Sequence, residues 1–115
     1  MPQIVTINNE LLRINPQKNS IEYSTNGGRS WLNRYNMSSP GTFRDLLVVG
    51  DAVLAATSKG LYCSTNKGVS WTARYVNSGV GEFLSLALSG AEVLATTSKG
   101  LYASRNGGQT WERRR

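Results

Sequence analysis

A chain of 115 residues and 12.6 kDa fits a single domain, and 39% hydrophobic with 17% charged residues is the balance of a packed protein, not a disordered or fibrous one. The longest apolar stretches, Leu46 to Val49 and Leu84 to Leu88, fall far short of the roughly 20 residues of a membrane-spanning helix, so no membrane role is expected. The absence of histidine excludes His-based triads and His-containing zinc sites, and the formal charge of +6 is only mildly basic once Arg113, Arg114 and Arg115 at the C-terminus are set aside.

Self-similarity organises the rest. Ser24-Thr25-Asn26-Gly27-Gly28-Arg29-Ser30-Trp31 returns as Ser64-Thr65-Asn66-Lys67-Gly68-Val69-Ser70-Trp71 and again as Ser104-Arg105-Asn106-Gly107-Gly108-Gln109-Thr110-Trp111, each forty residues after the last. Of the 33 positions from Phe43 to Tyr75, 17 are identical in the next copy. The expected units are therefore 1–42, 43–82 and 83–115 within one domain. The first is worn: Ile14, Ile21, Ser24 and Trp31 match, but Asn15-Pro16-Gln17-Lys18-Asn19 replaces the Ala-Thr-Ser-Lys-Gly segment.

The second copy shows the elements most clearly. Phe43 to Val49 reads as a strand covered on both faces, Gly50-Asp51 as a turn, and Val53 to Thr57 as a small-residue strand. Ser58-Lys59-Gly60 turns into a third strand, Leu61 to Thr65, and Asn66 to Gly68 turns into a fourth, Ser70 to Tyr75. No helical periodicity occurs. The expected fold is all-β: three four-stranded antiparallel propeller blades of 40 residues each.

The octapeptides resemble the Asp box, Ser-x-Asp-x-Gly-x-Thr/Ser-Trp, of the BNR repeats found in sialidases and in many non-enzymatic propellers. The resemblance implies that Ser24, Asn26, Gly28 and Trp31, Ser64, Asn66, Gly68 and Trp71, and Ser104, Asn106, Gly108 and Trp111 are scaffold. In that role they form the turn between a blade's third and fourth strands, with the tryptophan packed between blades. Asn replaces Asp in every copy, which keeps an acceptor oxygen and removes the charge. Sialidase chemistry, as the resemblance implies it, needs an arginine triad, a tyrosine paired with glutamate, and an acid/base carboxyl. Phe43-Arg44-Asp45-Leu46 echoes only part of the expected Phe-Arg-Ile-Pro segment. The acids Glu10, Glu22, Asp45, Asp51, Glu82, Glu92 and Glu112 stand singly, so no enzyme and no catalytic residue is expected, and neither metal nor cofactor. Cys63 aligns with packing positions and has no positive neighbour in its strand.

Strand parity puts the Asp boxes at one end of each blade and Lys59, Lys99 and the crossovers Asn36 to Thr42 and Asn77 to Glu82 at the other. Arg34, Arg74 and Arg114, near the ends of fourth strands, are expected on that same face beside Tyr35 and Tyr75. Those seven residues are the candidate ligand-binding set. The leading expectation is a binding or assembly module for a protein or glycan, with an anion-binding module for nucleic acid or acidic glycan and a sialidase-like hydrolase as alternatives. Three blades cannot close a ring, so a homodimer forming six blades is expected, with Ile7→Glu disturbing its boundary. No secretory leader is visible in Met1-Pro2-Gln3-Ile4 and Cys63 is unpaired, which together suggest a cytoplasmic protein.

Overall fold

The computed structural model describes residues 4–36, 40–77 and 79–114. The first sheet takes the order β1 (Ile4–Ile7), β2 (Glu10–Asn15), β3 (Ser20–Ser24), β4 (Leu32–Tyr35). The second is β5 (Phe43–Val49), β6 (Ala52–Thr57), β7 (Gly60–Ser64), β8 (Thr72–Tyr75), and the third is β9 (Phe83–Ser89), β10 (Glu92–Thr97), β11 (Gly100–Ser104), β12 (Glu112–Arg113). All pairings are antiparallel between chain neighbours. The four-strand repeat expected from the sequence is present in each copy. The fourth strand of the second copy starts two residues later than expected, because the Ser70 amide is still bonded inside the turn, to Asn66 Oδ1 at 3.0 Å.

Alternation along the middle sheet explains the stacking. Val53 and Ala55 of β6 join Ile7, Leu12, Ile14 and Ile21 of the first sheet, with Phe43, Leu46 and Trp71, in one core. Leu54 and Ala56, one residue out of step, join Leu61 and Cys63 with Phe83, Leu86, Val93, Ala95 and Tyr102 of the third sheet in another. A sheet buried on both faces needs apolar residues at consecutive positions, and Val53-Leu54-Ala55-Ala56 supplies them. Ile7, only 5% exposed, lies in the first of these cores. Ile7→Glu would therefore break packing within the chain, not a boundary between chains.

The two outward faces are built differently. On the first sheet Arg13, Asn15 and Glu22 stand, by strand register, where the second has Ala55, Thr57 and Tyr62 and the third has Ala95, Thr97 and Tyr102. Arg13 grips Glu22 Oε1 through Nε and Nη2, both at 2.8 Å, Asn15 Nδ2 donates to Oε2 at 3.1 Å, and the guanidinium covers the Trp31 ring at 4.1 Å. The first two strands keep the pairing of the middle sheet, Ile4 facing Arg13 as Leu46 faces Ala55, and the β2–β3 turn is two residues longer than its counterpart. On the third sheet Ala87, Ser89, Glu92 and Thr96 stand where the middle sheet has Leu47, Val49, Ala52 and Ala56. There Glu92 Oε2 accepts from Arg105 at 3.0 Å and Arg114 at 2.5 Å. Closing a six-bladed ring by pairing would bury the Arg13 network, since Ala55 and Thr57 at the matching positions of the middle sheet are fully buried.

Candidate functional site

Each Asp-box turn is one hydrogen-bonded unit. In the middle copy Ser64 Oγ donates to Asn66 Oδ1 at 2.8 Å and accepts from the Gly68 amide at 2.8 Å. Asn66 Nδ2 donates to Ser70 Oγ at 2.9 Å, and Trp71 Nε1 donates to the Gly68 carbonyl at 3.1 Å. The same bonds recur at Ser24, Asn26, Gly28, Ser30 and Trp31, and at Ser104, Asn106, Gly108, Thr110 and Trp111. Gly108 has φ +94°, and a Cβ there would stand 2.6 Å from Leu61 Cδ2 of the preceding blade. The turn thus seats on its neighbour as well as closing its own hairpin.

The arginines belong to this seating. Arg34 Nη1 donates to the Lys67 carbonyl at 3.0 Å and to Glu10 at 2.6 Å, with its guanidinium 3.7 Å above the Tyr23 ring. Arg74 Nη1 donates to the Gly107 carbonyl at 2.9 Å. Each reaches back to the next blade's box, so Arg34 and Arg74 are not on the lysines' face as strand direction suggested. Side-chain length and rotamer, which parity ignores, decide the end reached. Arg114, at the third such position, pairs with Glu92 instead. Of the expected C-terminal tail, Arg115 lies outside the described residues, as do positions 37–39 and 78 of the crossovers.

The tyrosines are likewise absorbed by packing. Tyr35 meets Phe43 and Trp71 edge-on at 6.1 and 6.5 Å, and burial, then the neighbouring Tyr62, pushes its hydroxyl pKa up. Tyr75 packs on the core between the second and third sheets, and its hydroxyl accepts from Asn77 Nδ2 at 3.3 Å. Lys59 and Lys99 are exposed at the crossover end, with their stems beside Gly41 and Gly81.

That end contains the feature sequence reasoning missed, a difference between the two blade junctions. At the first, Asn19 Nδ2 donates to the Gly41 carbonyl at 2.9 Å and Oδ1 accepts from the Phe43 amide at 2.8 Å. Asn19 aligns with Lys59, which has no acceptor. At the second junction a groove of about 270 Å³ opens, lined by Ser58, Lys59, Val76, Asn77, Gly81, Glu82 and Ser98. Its charges are Lys59 at one side and Glu82, which pairs with Arg44 at 2.9 Å, at the other. Val76, 56% exposed, supplies apolar area. The Asn-for-Lys exchange within the worn copy was the available signal.

Five of the seven acids, Glu10, Glu22, Asp45, Glu82 and Glu92, are committed elsewhere. Hydrogen bonding to Arg34 holds the Glu10 carboxyl below its ordinary range. For Glu22 burial pushes upward but Asn15 and Arg13 outweigh it, and for Glu92 the bonds from Arg114 and Arg105 pull downward. Asp45 is buried, accepting from the Leu46 amide at 3.0 Å and across the blade junction from the Leu86 amide at 2.8 Å. Burial still raises its pKa against those bonds. Burial also pushes the Cys63 thiol up, with Arg74 from the adjacent strand opposing.

The family description "BNR/Asp-box repeat" matches residues 102–113. No curated protein matches the chain. Among solved structures it is similar to "YCF48 from Cyanidioschyzon merolae", with 21% identity and a TM-score of 0.73 over 95% of this chain and 38% of that one. It is also similar to "YCF48 bound to D1 peptide", with 24% identity and a TM-score of 0.68 over 95% of this chain and 37% of that one. The chain spans less than two fifths of either structure, and likeness at this level shows a shared propeller-type fold. Residues 102–113 are accordingly a BNR/Asp-box repeat, whose turn is repeated bond for bond at 64–71 and 24–31.

Proposed function

We propose that the chain is a non-catalytic propeller-type binding module that seats a protein segment in the groove between its second and third blades. The observation that carries this reading is the asymmetry of the junctions: one is closed by Asn19, while the other exposes backbone, hydroxyls, one cation, one anion and Val76 in a single depression. Mixed polarity with a small apolar contact suits a peptide better than a polyanion. The similar structure titled as YCF48 bound to D1 peptide records a peptide complex for that protein, in agreement with a protein ligand here.

Two alternatives lose support from the geometry. A basic ring for nucleic acid or acidic glycan would need Arg34 and Arg74, which are engaged with backbone carbonyls of the neighbouring blade. Paired carboxylates for glycoside hydrolysis would need acids free to act together, yet Glu10, Glu22, Glu82 and Glu92 each hold an arginine and Asp45 is tied to backbone amides. For assembly we favour an open three-blade arc over the six-bladed ring, because burying Arg13 and Glu22 carries a desolvation cost that their mutual attraction does not reliably offset.

Selection of displayed random peptides on the immobilised chain tests the reading. The expected binders perturb the NMR signals of Ser58, Val76, Gly81 and Ser98 and lose affinity in Val76→Asp. Binders that perturb only other surfaces, or turnover of an aryl sialoside by the purified chain, would overturn it.

A further inference from the structure

We propose that the outward face of the third sheet is a docking surface for an Asp-box blade of another protein, and that the Arg13 network bars this chain's own first blade from it.

Both internal junctions follow one plan. The face that each blade turns to the next carries two apolar side chains, Leu12 and Ile21 in the first and Leu54 and Leu61 in the second, all at most 1% exposed. The central glycine of the next Asp box rests on them. A Cβ at Gly68 would stand 3.3 Å from Leu12 Cδ1 and 3.6 Å from Ile21 Cγ2, and one at Gly108 2.6 Å from Leu61 Cδ2. An arginine of the leading blade then donates to the carbonyl just before that glycine, Arg34 to Lys67 at 3.0 Å and Arg74 to Gly107 at 2.9 Å.

The third blade repeats the plan with no fourth blade against it. By strand register Leu94 and Leu101 stand where Leu54 and Leu61 do, yet both are only half-buried. Arg114 follows Arg74 by forty residues, and Glu92 holds it at 2.5 Å as Glu10 holds Arg34 at 2.6 Å. Glu10 and Glu92 share one register position. In the first blade this pair serves the junction, because Arg34 Nη1 bonds Glu10 and the neighbouring box carbonyl together. A guanidinium carries five N–H donors, so Arg114 can take a box carbonyl while keeping Glu92. Ser85 occupies the place of Asp45, which accepts the Leu86 amide across the second junction, and its hydroxyl is an acceptor for the matching amide of a further blade.

The polar residues of the first blade select the occupant. That blade has the box glycine and the preceding carbonyl, at Gly28 and Gly27. It would also bring Arg13, Asn15 and Glu22 into the junction, where the second blade brings Ala55, Thr57 and Tyr62. Stripping water from that network against Leu94 and Leu101 costs more than the contacts return. The surface therefore fits an Asp-box blade with small or apolar residues at those three positions, which a second copy of this chain does not present.

The triple variant Arg13→Ala, Asn15→Thr, Glu22→Tyr gives the first blade the residues of the middle one and makes the chain a probe of its own third face. Added unlabelled to ¹⁵N-labelled parent, it should shift the parent amides of Leu94, Leu101, Ala103 and Arg114. Alone, it should exceed the monomer mass in light scattering at concentrations where the parent stays near 12.6 kDa. Adding Leu101→Glu should return it to a monomer, and adding Arg114→Ala should weaken association roughly tenfold. If the triple variant loses its β-sheet circular dichroism, Arg13→Ala with Glu22→Ala, which leaves Asn15 on its turn, is the probe with the same expectations. A folded variant that stays monomeric and leaves the parent signals unmoved overturns the proposal, as does association that Leu101→Glu does not reverse. A parent chain that associates through Leu101 and Arg114 overturns the exclusion of its own first blade.

Discussion

Replacing Trp71 by alanine removes the largest side chain at the junction of the first two sheets. The indole is 8% exposed, meets Phe43 at 5.6 Å and Tyr35 at 6.5 Å, and donates Nε1 to the Gly68 carbonyl. A buried aromatic cut to alanine costs about 3 to 5 kcal/mol, and the stranded carbonyl adds to that. Trp31 makes the same bond in its own turn but lies on the outward face beneath Arg13. Its loss removes a cation–π contact and partial burial, about 1 to 2 kcal/mol. Urea unfolding followed by far-UV circular dichroism, with both variants at one protein concentration, measures the difference. The variants should separate by roughly 2 kcal/mol, with Trp71→Ala the weaker protein. Equal losses, or a larger loss at Trp31, would refute the assignment of one face as core and the other as solvent-facing.

Gly108→Ala should lose about 1 to 3 kcal/mol, since its Cβ must displace Leu61 and its φ of +94° is unfavourable for alanine; calorimetry reads this as a lower Tm. Asn66→Asp should stay within about 0.5 kcal/mol of the parent, because the Ser70 hydroxyl can reverse and donate to the carboxylate; a clear fall in Tm would mean that the amide donor is essential. The folded-state pKa of Asp45 is raised, so its contribution is largest at low pH and declines as pH rises from about 3.8 through the folded value. The stability difference between the parent and Asp45→Asn should fall over that window, and a rising difference would reverse the assigned sign. Light scattering should give one mass near 12.6 kDa that does not change on dilution, and a doubled mass would restore the ring of six blades.

The period of forty, the strand pattern and the Asp-box turns were legible because each rests on local chemistry: a glycine at positive φ, an Asx acceptor, an apolar run. Arg34 and Arg74 were not, since a long side chain can return along its strand to a carbonyl 33 residues away. Tyr35 and Tyr75 looked like ligand platforms beside those arginines, and only the stacking of sheets shows them at the blade junctions. The worn first copy was visible as divergence. That Arg13, Asn15 and Glu22 form one outward network, and that Asn19 closes a junction Lys59 leaves open, requires knowing which residues share a face across strands.

The groove at the second junction bears most directly on the account. Peptides selected on the immobilised chain should shift the backbone amides of Ser58, Val76, Gly81 and Ser98 in ¹⁵N-resolved NMR and should lose affinity in Val76→Asp. Asn19→Ala, which opens the other junction, should leave that binding unchanged. Selected peptides that shift only other surfaces, or that bind Val76→Asp as tightly as the parent, would contradict the groove as the binding site.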